Sequence, residues 1–444
     1  MQTAVSPAQP TTAGPPPRQE IPFGNARPQW HSIGRLAPLV LVLWVVADIG
    51  LRYMPPETFG IHPWQYARIG ARGSAPFAAN LALRTTTPVA AAATAGNLPL
   101  AEAPVDIRFT TNNLGFRATP GMEHRAPGLL VMGGSSFGYG YGLSDEHTLS
   151  AVLQRELQTP VFNGSRFFTD PDGLVELDDL LRQMPVKPES VVFLHLEQQN
   201  LFLRGDDNPY PEAEQPPRQS LQKLGHETIG PLAYRSLEER YVTFKRSFGT
   251  WLRLSPLRIM ATRWQKALAN DRILPNSQKA GVTALQLTNG RRILFEYYEW
   301  RRATSKRPPE RMTGTVEYLA WMKDRLNERG LRMYVVTVPD KASVYRNWLV
   351  GRADVMQQLH QSNDAEYLTD LHSALSARGV NAIDGLAVLR RTAAADIADG
   401  RLTYYLDDAH WNALGVERIG RAAARTIASH ERFAAVQHSA QVAR

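Results

Sequence analysis

Gly128-Leu-Leu-Val-Met-Gly-Gly-Ser-Ser-Phe-Gly-Tyr-Gly-Tyr-Gly142 is the stretch whose reading decides the fold. Its apolar start shows no polar alternation, as expected for a strand buried on both faces, and the glycines end it. Leu149, Val152, Leu153 and Leu157 then recur at helical spacing. Strand, glycine turn and helix form the opening unit of an α/β sheet. The pattern continues outward. Leu174, Leu177, Leu180 and Leu181 mark a helix before the strand Ser190-Val-Val-Phe-Leu-His-Leu196. Val316, Leu319, Met322 and Leu326 mark another, closed by Gly330 and followed by the strand Leu331–Val338. A short strand over Val380–Ile383 and a helix over about 413–429 complete a mostly parallel sheet covered on both faces.

The chain has 444 residues, 43% apolar and 21% charged, with no cysteine. It is too apolar for general disorder and long enough for a substantial core. Lack of cysteine excludes disulfides, thiolate metal sites and a thiol nucleophile. The net charge of +8 suits an anionic partner, but no nucleic-acid reader motif accompanies it.

Residues 1–32 are proline-rich and aperiodic and predict a disordered tail. Leu36–Leu51 is almost wholly apolar and lies between Arg35 and Arg52. Extended to 33–54, with both arginines snorkelling, it rises about 33 Å, enough for one transmembrane helix. Positive charges in the short tail place the N-terminus in the cytoplasm and the C-terminal domain in the periplasm, anchored in the inner membrane. Residues 55–105 read as an Ala-, Pro- and Thr-rich spacer, 205–310 as an insertion or lid, and 431–444 as a tail.

Two clusters could carry chemistry. The turn at 133–136 sits where a parallel strand ends, the edge at which α/β sheets bind ligands. A serine exposed there beside free backbone N–H groups can attack an acyl carbon while those groups hold the oxyanion. The same glycines could cradle a phosphate, although the Lys-Ser/Thr ending of a P-loop is missing. The second cluster, Tyr404-Tyr-Leu-Asp-Asp-Ala-His-Trp-Asn-Ala-Leu-Gly415, offers a histidine with a nearby aspartate, the base and orienter of a hydrolase triad. His195 and Glu197 share one face of their strand and are expected to pack beneath the site rather than line it. The basic stretch Arg291–Arg311, with glutamates interspersed, is expected to be a solvated face.

Together these motifs resemble the SGNH/GDSL hydrolase family, whose first block is a Gly-Asp-Ser turn and whose last pairs Asp with His. On that resemblance Ser135 is the nucleophile and His410 is the base; Ser136, one residue on, is an alternative that would normally point away from the strand edge. Asp408, followed by Trp411 and Asn412, has the Asp-x-His-Trp spacing of the alginate O-acetylation branch, and Asp407 is the alternative orienter. Thr111-Asn-Asn-Leu-Gly-Phe-Arg117 resembles the preface of membrane-anchored members, and Val338-Pro-Asp-Lys-Ala-Ser-Val-Tyr345 a segment of that branch. Val161-Phe-Asn-Gly164 resembles the second block, making Gly164 a backbone oxyanion donor. Asn200, or less readily Gln199, would be the side-chain donor. Gly134 stands where the first-block Asp is expected, the third block is irregular, and the serine precedes the Asp-x-His pair.

The resemblance implies an SGNH-like three-layer α/β sandwich and serine acyl-ester chemistry without metal or organic cofactor. The expected substrate is the O-acetyl group of an extracytoplasmic polysaccharide. A multi-pass membrane acyltransferase or polysaccharide synthase complex is the expected partner. The competing class is an inactive SGNH-like scaffold that binds polysaccharide or organises its synthesis and export.

Overall fold

The structure is a computed structural model. It describes residues 30–54, then 65–165 apart from 66, 69–70, 72–74, 97 and 123–124. It continues over 172–199 apart from 185, then 201, 248–264 apart from 263, 282–362 apart from 306, and 366–431. Residues 1–29 of the tail expected over 1–32, residues 432–444 of the tail expected over 431–444, most of the expected insertion, and Asn200 lie outside the described residues, while residues 30–32 are helical rather than disordered.

The chain forms two units, residues 1–50 and 51–444. In the first, helix α1 spans Trp30–Leu51 and includes Pro38. Leu39–Leu43 and Val46 are each more than half exposed. Among the described residues no helix is long and apolar enough to cross a membrane. The span expected over 33–54 is therefore a helix that falls short of that criterion.

The second unit begins with β1 (Ala82–Thr87), α2 (Ala91–Gly96) and β2 (Val105–Thr110). β1 pairs antiparallel with β2, so much of the expected spacer is ordered structure. Next come β3 (Leu129–Gly133), α3 (Ser135–Tyr139), α4 (Leu149–Leu157), β4 (Val161–Asn163), α5 (Asp172–Gln183) and β5 (Ser190–Leu196). After them run β6 (Val282–Leu287), β7 (Arg292–Glu296), α6 (Tyr297–Thr304), α7 (Pro309–Glu328), β8 (Arg332–Val338), α8 (Lys341–Tyr345) and β9 (Leu349–Val350). α9 (Ala353–Gln361), α10 (Tyr367–Ala377), β10 (Asn381–Asp384), α11 (Gly385–Ala398) and α12 (Ala413–His430) complete the unit.

The main sheet has the order β10-β8-β5-β3-β4, and every pairing in it is parallel. β3 and β5 are buried at every residue, and β8 at all but its first. Continuous apolar runs are what strands covered on both faces require. Taken in chain order from β3, the strands lie 2-1-3-4-5. This order reverses direction between β3 and β5, the point at which doubly wound sheets open a crevice. A second sheet, β7-β6-β9, is antiparallel, and two of its strands come from the interval expected as an insertion. Leu294 on β7 donates its N–H to Leu406 O at 2.9 Å, so this sheet braces the Asp-Asp-x-His loop instead of standing off as a lid.

Helix α12 starts where Asn412 Oδ1 accepts from the N–H groups of Leu414 and Gly415, at 3.0 and 3.2 Å. Such a cap satisfies amides that have no partner inside the helix. Val416, Ile419, Ala423 and Ile427 recur on its buried face. Those two features fix where the preceding loop leaves the core.

Candidate active site

The serine turn is built from three consecutive left-handed residues, Gly133 (φ +75), Gly134 (φ +66) and Ser135 (φ +46). A side chain at Gly134 would place Cβ 2.7 Å from Leu194 Cβ, so only glycine fits there. The left-handed run leads directly into α3, which begins at Ser135. Ser136 Oγ lies 2.7 Å from His410 Nε2. The expectation for Ser135 is thus corrected: the residue that reaches the histidine is Ser136.

His410 Nδ1 lies 2.5 Å from Asp408 Oδ1, which also accepts the His410 backbone N–H at 2.9 Å. The other oxygen of Asp408 accepts from Ala91 N–H at 3.0 Å. Burial raises the pKa of the Asp408 carboxyl, but the adjacent His410 charge and these hydrogen bonds outweigh it and hold the value down to about 2. A carboxylate only accepts, so Nδ1 carries its proton and Nε2 is left to accept from the Ser136 hydroxyl. Phe137 and Tyr141 lie against the imidazole, with ring centroids 4.7 and 4.3 Å away. His410 keeps 16% of its side chain exposed, against none for Asp408. A slightly exposed base backed by a dry carboxylate can exchange a proton with a bound group while its orienter stays out of water.

Asp407 is occupied elsewhere. Its carboxylate accepts from Ala101 N–H at 2.5 Å and Glu102 N–H at 3.2 Å, with Arg292 at 3.4 Å. Its carbonyl accepts from Ala92 and Ala93 in the first turn of α2. The two aspartates therefore split between shaping the loop and orienting the histidine.

Gly164 does not have a free amide to offer as an oxyanion donor, because its N–H donates to Val131 O at 2.8 Å. Its neighbour Asn163 donates to Gly138 O and Ser150 Oγ and so fixes the serine helix. Gln199 Oε1 accepts from Leu196 N–H. His195 and Glu197 are fully buried, and neither is bonded to Ser136, His410 or Asp408 in the described contacts. Glu197 accepts from Arg307 at 2.7 Å, Asp340 N–H at 2.7 Å and Ser343 Oγ at 2.8 Å. Arg307 and Arg311 are thus not a solvated face: both bond the turn after β5, and Arg307 also lies over the Tyr367 ring.

Several supports carry no sequence signal of their own as site residues. Arg117, wholly buried, pairs with Asp145 at 2.7 Å and donates to Leu143 O at 2.7 Å, bracing the chain just past Tyr141. Lys341 Nζ donates to Asp408 O at 2.7 Å from beneath the loop. Both belong to quoted motifs, but a sequence motif does not say which of its members reaches the site. Among the described residues no cluster of acidic and histidine side chains could hold a metal ion.

Residues 294–444, the C-terminal third of the chain, match the family described as SGNH hydrolase-like domain, acetyltransferase AlgX. A solved structure of a G-D-S-L family lipolytic protein from Desulfitobacterium hafniense DCB-2 also matches, at 12% identity. The match covers 67% of this chain and 99% of that one, with a TM-score of 0.28. No curated protein matches.

Proposed function

We propose, starting from a chain that resembles the SGNH/GDSL family in its alginate O-acetylation branch, that it is a serine acyl-esterase or O-acyltransferase acting on acetyl groups of a carbohydrate. The observation that carries this reading is the linked set Ser136 Oγ–His410 Nε2 at 2.7 Å and His410 Nδ1–Asp408 Oδ1 at 2.5 Å, just beyond the end of β3. Ser136 attacks the acyl carbon, and His410 takes the hydroxyl proton and returns it to the leaving alcohol. Asp408 holds the imidazole and stabilises its cation. The acyl-enzyme then passes its acetyl group to water or to a sugar hydroxyl. Asn200, just beyond β5 in sequence, is the proposed side-chain oxyanion donor.

The proposed carbohydrate approaches along a groove of about 510 Å³ beside the loop, bordered by Glu102, Arg291, Tyr405 and Asn412. The setting we propose is the periplasmic face of the inner membrane. The exposed apolar residues of α1 would attach the chain there, and a multi-pass membrane protein would supply the acyl group.

The test is turnover of an activated acetyl ester by the purified chain. Ser136→Ala should lower kcat by about 10⁴-fold, whereas Ser135→Ala should stay within about 10-fold of wild type, since its hydroxyl does not meet His410. The reverse pattern would overturn the assignment. Wild-type inactivity on activated esters and acetylated glycans alike would favour the scaffold reading.

A further inference from the structure

We infer that Lys341 is a positioning residue of this site: its buried side-chain amine ties the Asp408 loop to β7 and so holds Asp408 in register with His410. The inference rests on the proposed acyl chemistry of Ser136, His410 and Asp408.

Lys341 opens the short helix α8 and is fully buried. Its Nζ donates to Leu294 O at 2.5 Å, Asp408 O at 2.7 Å and Tyr405 O at 3.3 Å. An ammonium has three protons, and here it meets three carbonyls. One lies on β7 and two lie at either end of the 405–408 turn, so a single side chain spans the turn and fixes it to the second sheet. Leu294 closes the same clamp from its own N–H, which donates to Leu406 O. The Phe295 ring lies 5.0 Å from Nζ and covers the cation.

Lysines ordinarily keep the charged end in water, and enclosing one costs free energy that a methionine of similar length would not. Packing alone therefore does not account for the residue. A directed bond to the carbonyl of Asp408, two residues from His410, does. The same charge acts on Glu102, Glu296 and Glu299, alongside Arg291 at the first and Arg302 at the other two.

The experiment compares wild type, Lys341→Met and Lys341→Arg in the full chain. An activated acetyl ester gives kcat and KM, and a fluorophosphonate counts reactive serines, so that every rate is expressed per competent site. We expect Lys341→Met to lose about 30-fold or more in kcat per labelled site with KM within about 2-fold, because small misplacements of a reacting group are expensive. Lys341→Arg, which keeps the charge but has a planar fork, should fall between the two. If Lys341→Met shows no cooperative melt, the arginine variant carries the test on the same readouts.

An unchanged kcat per labelled site would overturn the inference. So would a loss of activity that only tracks the labelled fraction. Absence of both labelling and turnover in the wild type would instead defeat the acyl-transfer reading, and the positioning role with it.

Discussion

At the residue scale, the site depends on which member of each repeated pair faces the loop. Ser135 and Ser136 have the same side chain, as do Asp407 and Asp408, and spacing could rank them but not aim them. Three left-handed residues select Ser136, and the amides of Ala101 and Glu102 occupy Asp407. Asp408→Asn should leave the fold intact yet lower kcat by about 10³- to 10⁴-fold, since an amide favours the wrong imidazole tautomer. Steady-state kinetics beside a circular dichroism melt would check it. Asp408 also has a stability consequence. Its folded pKa of about 2 lies below the ordinary 3.8, so its contribution is complete above pH 4 and fades as pH falls toward 2.

His195 has a further acid sensitivity. Burial, with Arg311 and Arg307 adding to it, lowers its pKa from 6.5 to about 3. The folded state keeps it neutral, so stability is full above pH 6.5 and is lost as pH falls toward 3. The loss should reach on the order of 3 kcal/mol by pH 4. His195→Leu should flatten that part of the pH–stability curve in denaturant titrations.

At the element scale, β3, β5 and β8 were legible because burial on both faces demands continuous apolar runs, whereas β4, three residues long, was not read as a strand. The serine turn was legible as a turn, but its register was not. Gly134→Ala should cost about 2 kcal/mol or more, because Cβ would meet the backbone-proximal Cβ of Leu194 in a left-handed conformation. Urea unfolding would measure it, and turnover should fall with it as Ser136 is displaced. The second sheet was not legible as a support. β6 and β7 lie in an interval without βα alternation, and their importance comes from Leu294 bonding a loop more than 100 residues away.

Helix α6 carries Glu299, fully buried and raised to about 8 by burial first, with nearby acids adding to it. A carboxyl raised in the folded state contributes fully below its unfolded value of 4.5, and that contribution is lost progressively as pH rises from there through about 8. Glu299→Gln keeps an acceptor for the Glu296 N–H but cannot ionise. Its stability gain over the wild type should be smallest near pH 5, grow as pH rises toward 8, and level off by pH 9 on the order of a few kcal/mol, read as Tm across that range.

At the scale of the whole molecule, residues 51–444 form a unit by themselves, while α1 exposes Leu39 to Leu43 and Val46. Exposed apolar surface of that extent calls for a covering partner or lipid. Removing residues 1–50 should leave the melt of the remaining chain within a few degrees, and the proposed membrane attachment predicts that vesicle sedimentation of the full chain, if measured, is lost with them. Loss of the cooperative melt would show that the first unit supports the second.

The sequence by itself determined the α/β class, the strand-edge serine turn, the histidine and the family resemblance. Each is written in contiguous residues, as an apolar run, a glycine cluster or a short spacing. Only the tertiary structure decided Ser136 over Ser135, removed Gly164 from the donors, and brought Ala91, Leu294 and Lys341 to the loop. Backbone dihedrals, spent hydrogen bonds and contacts between distant segments make those choices. They arise when the chain closes on itself, since a donor already used or a carbonyl held from across the fold leaves no local trace in the order of residues.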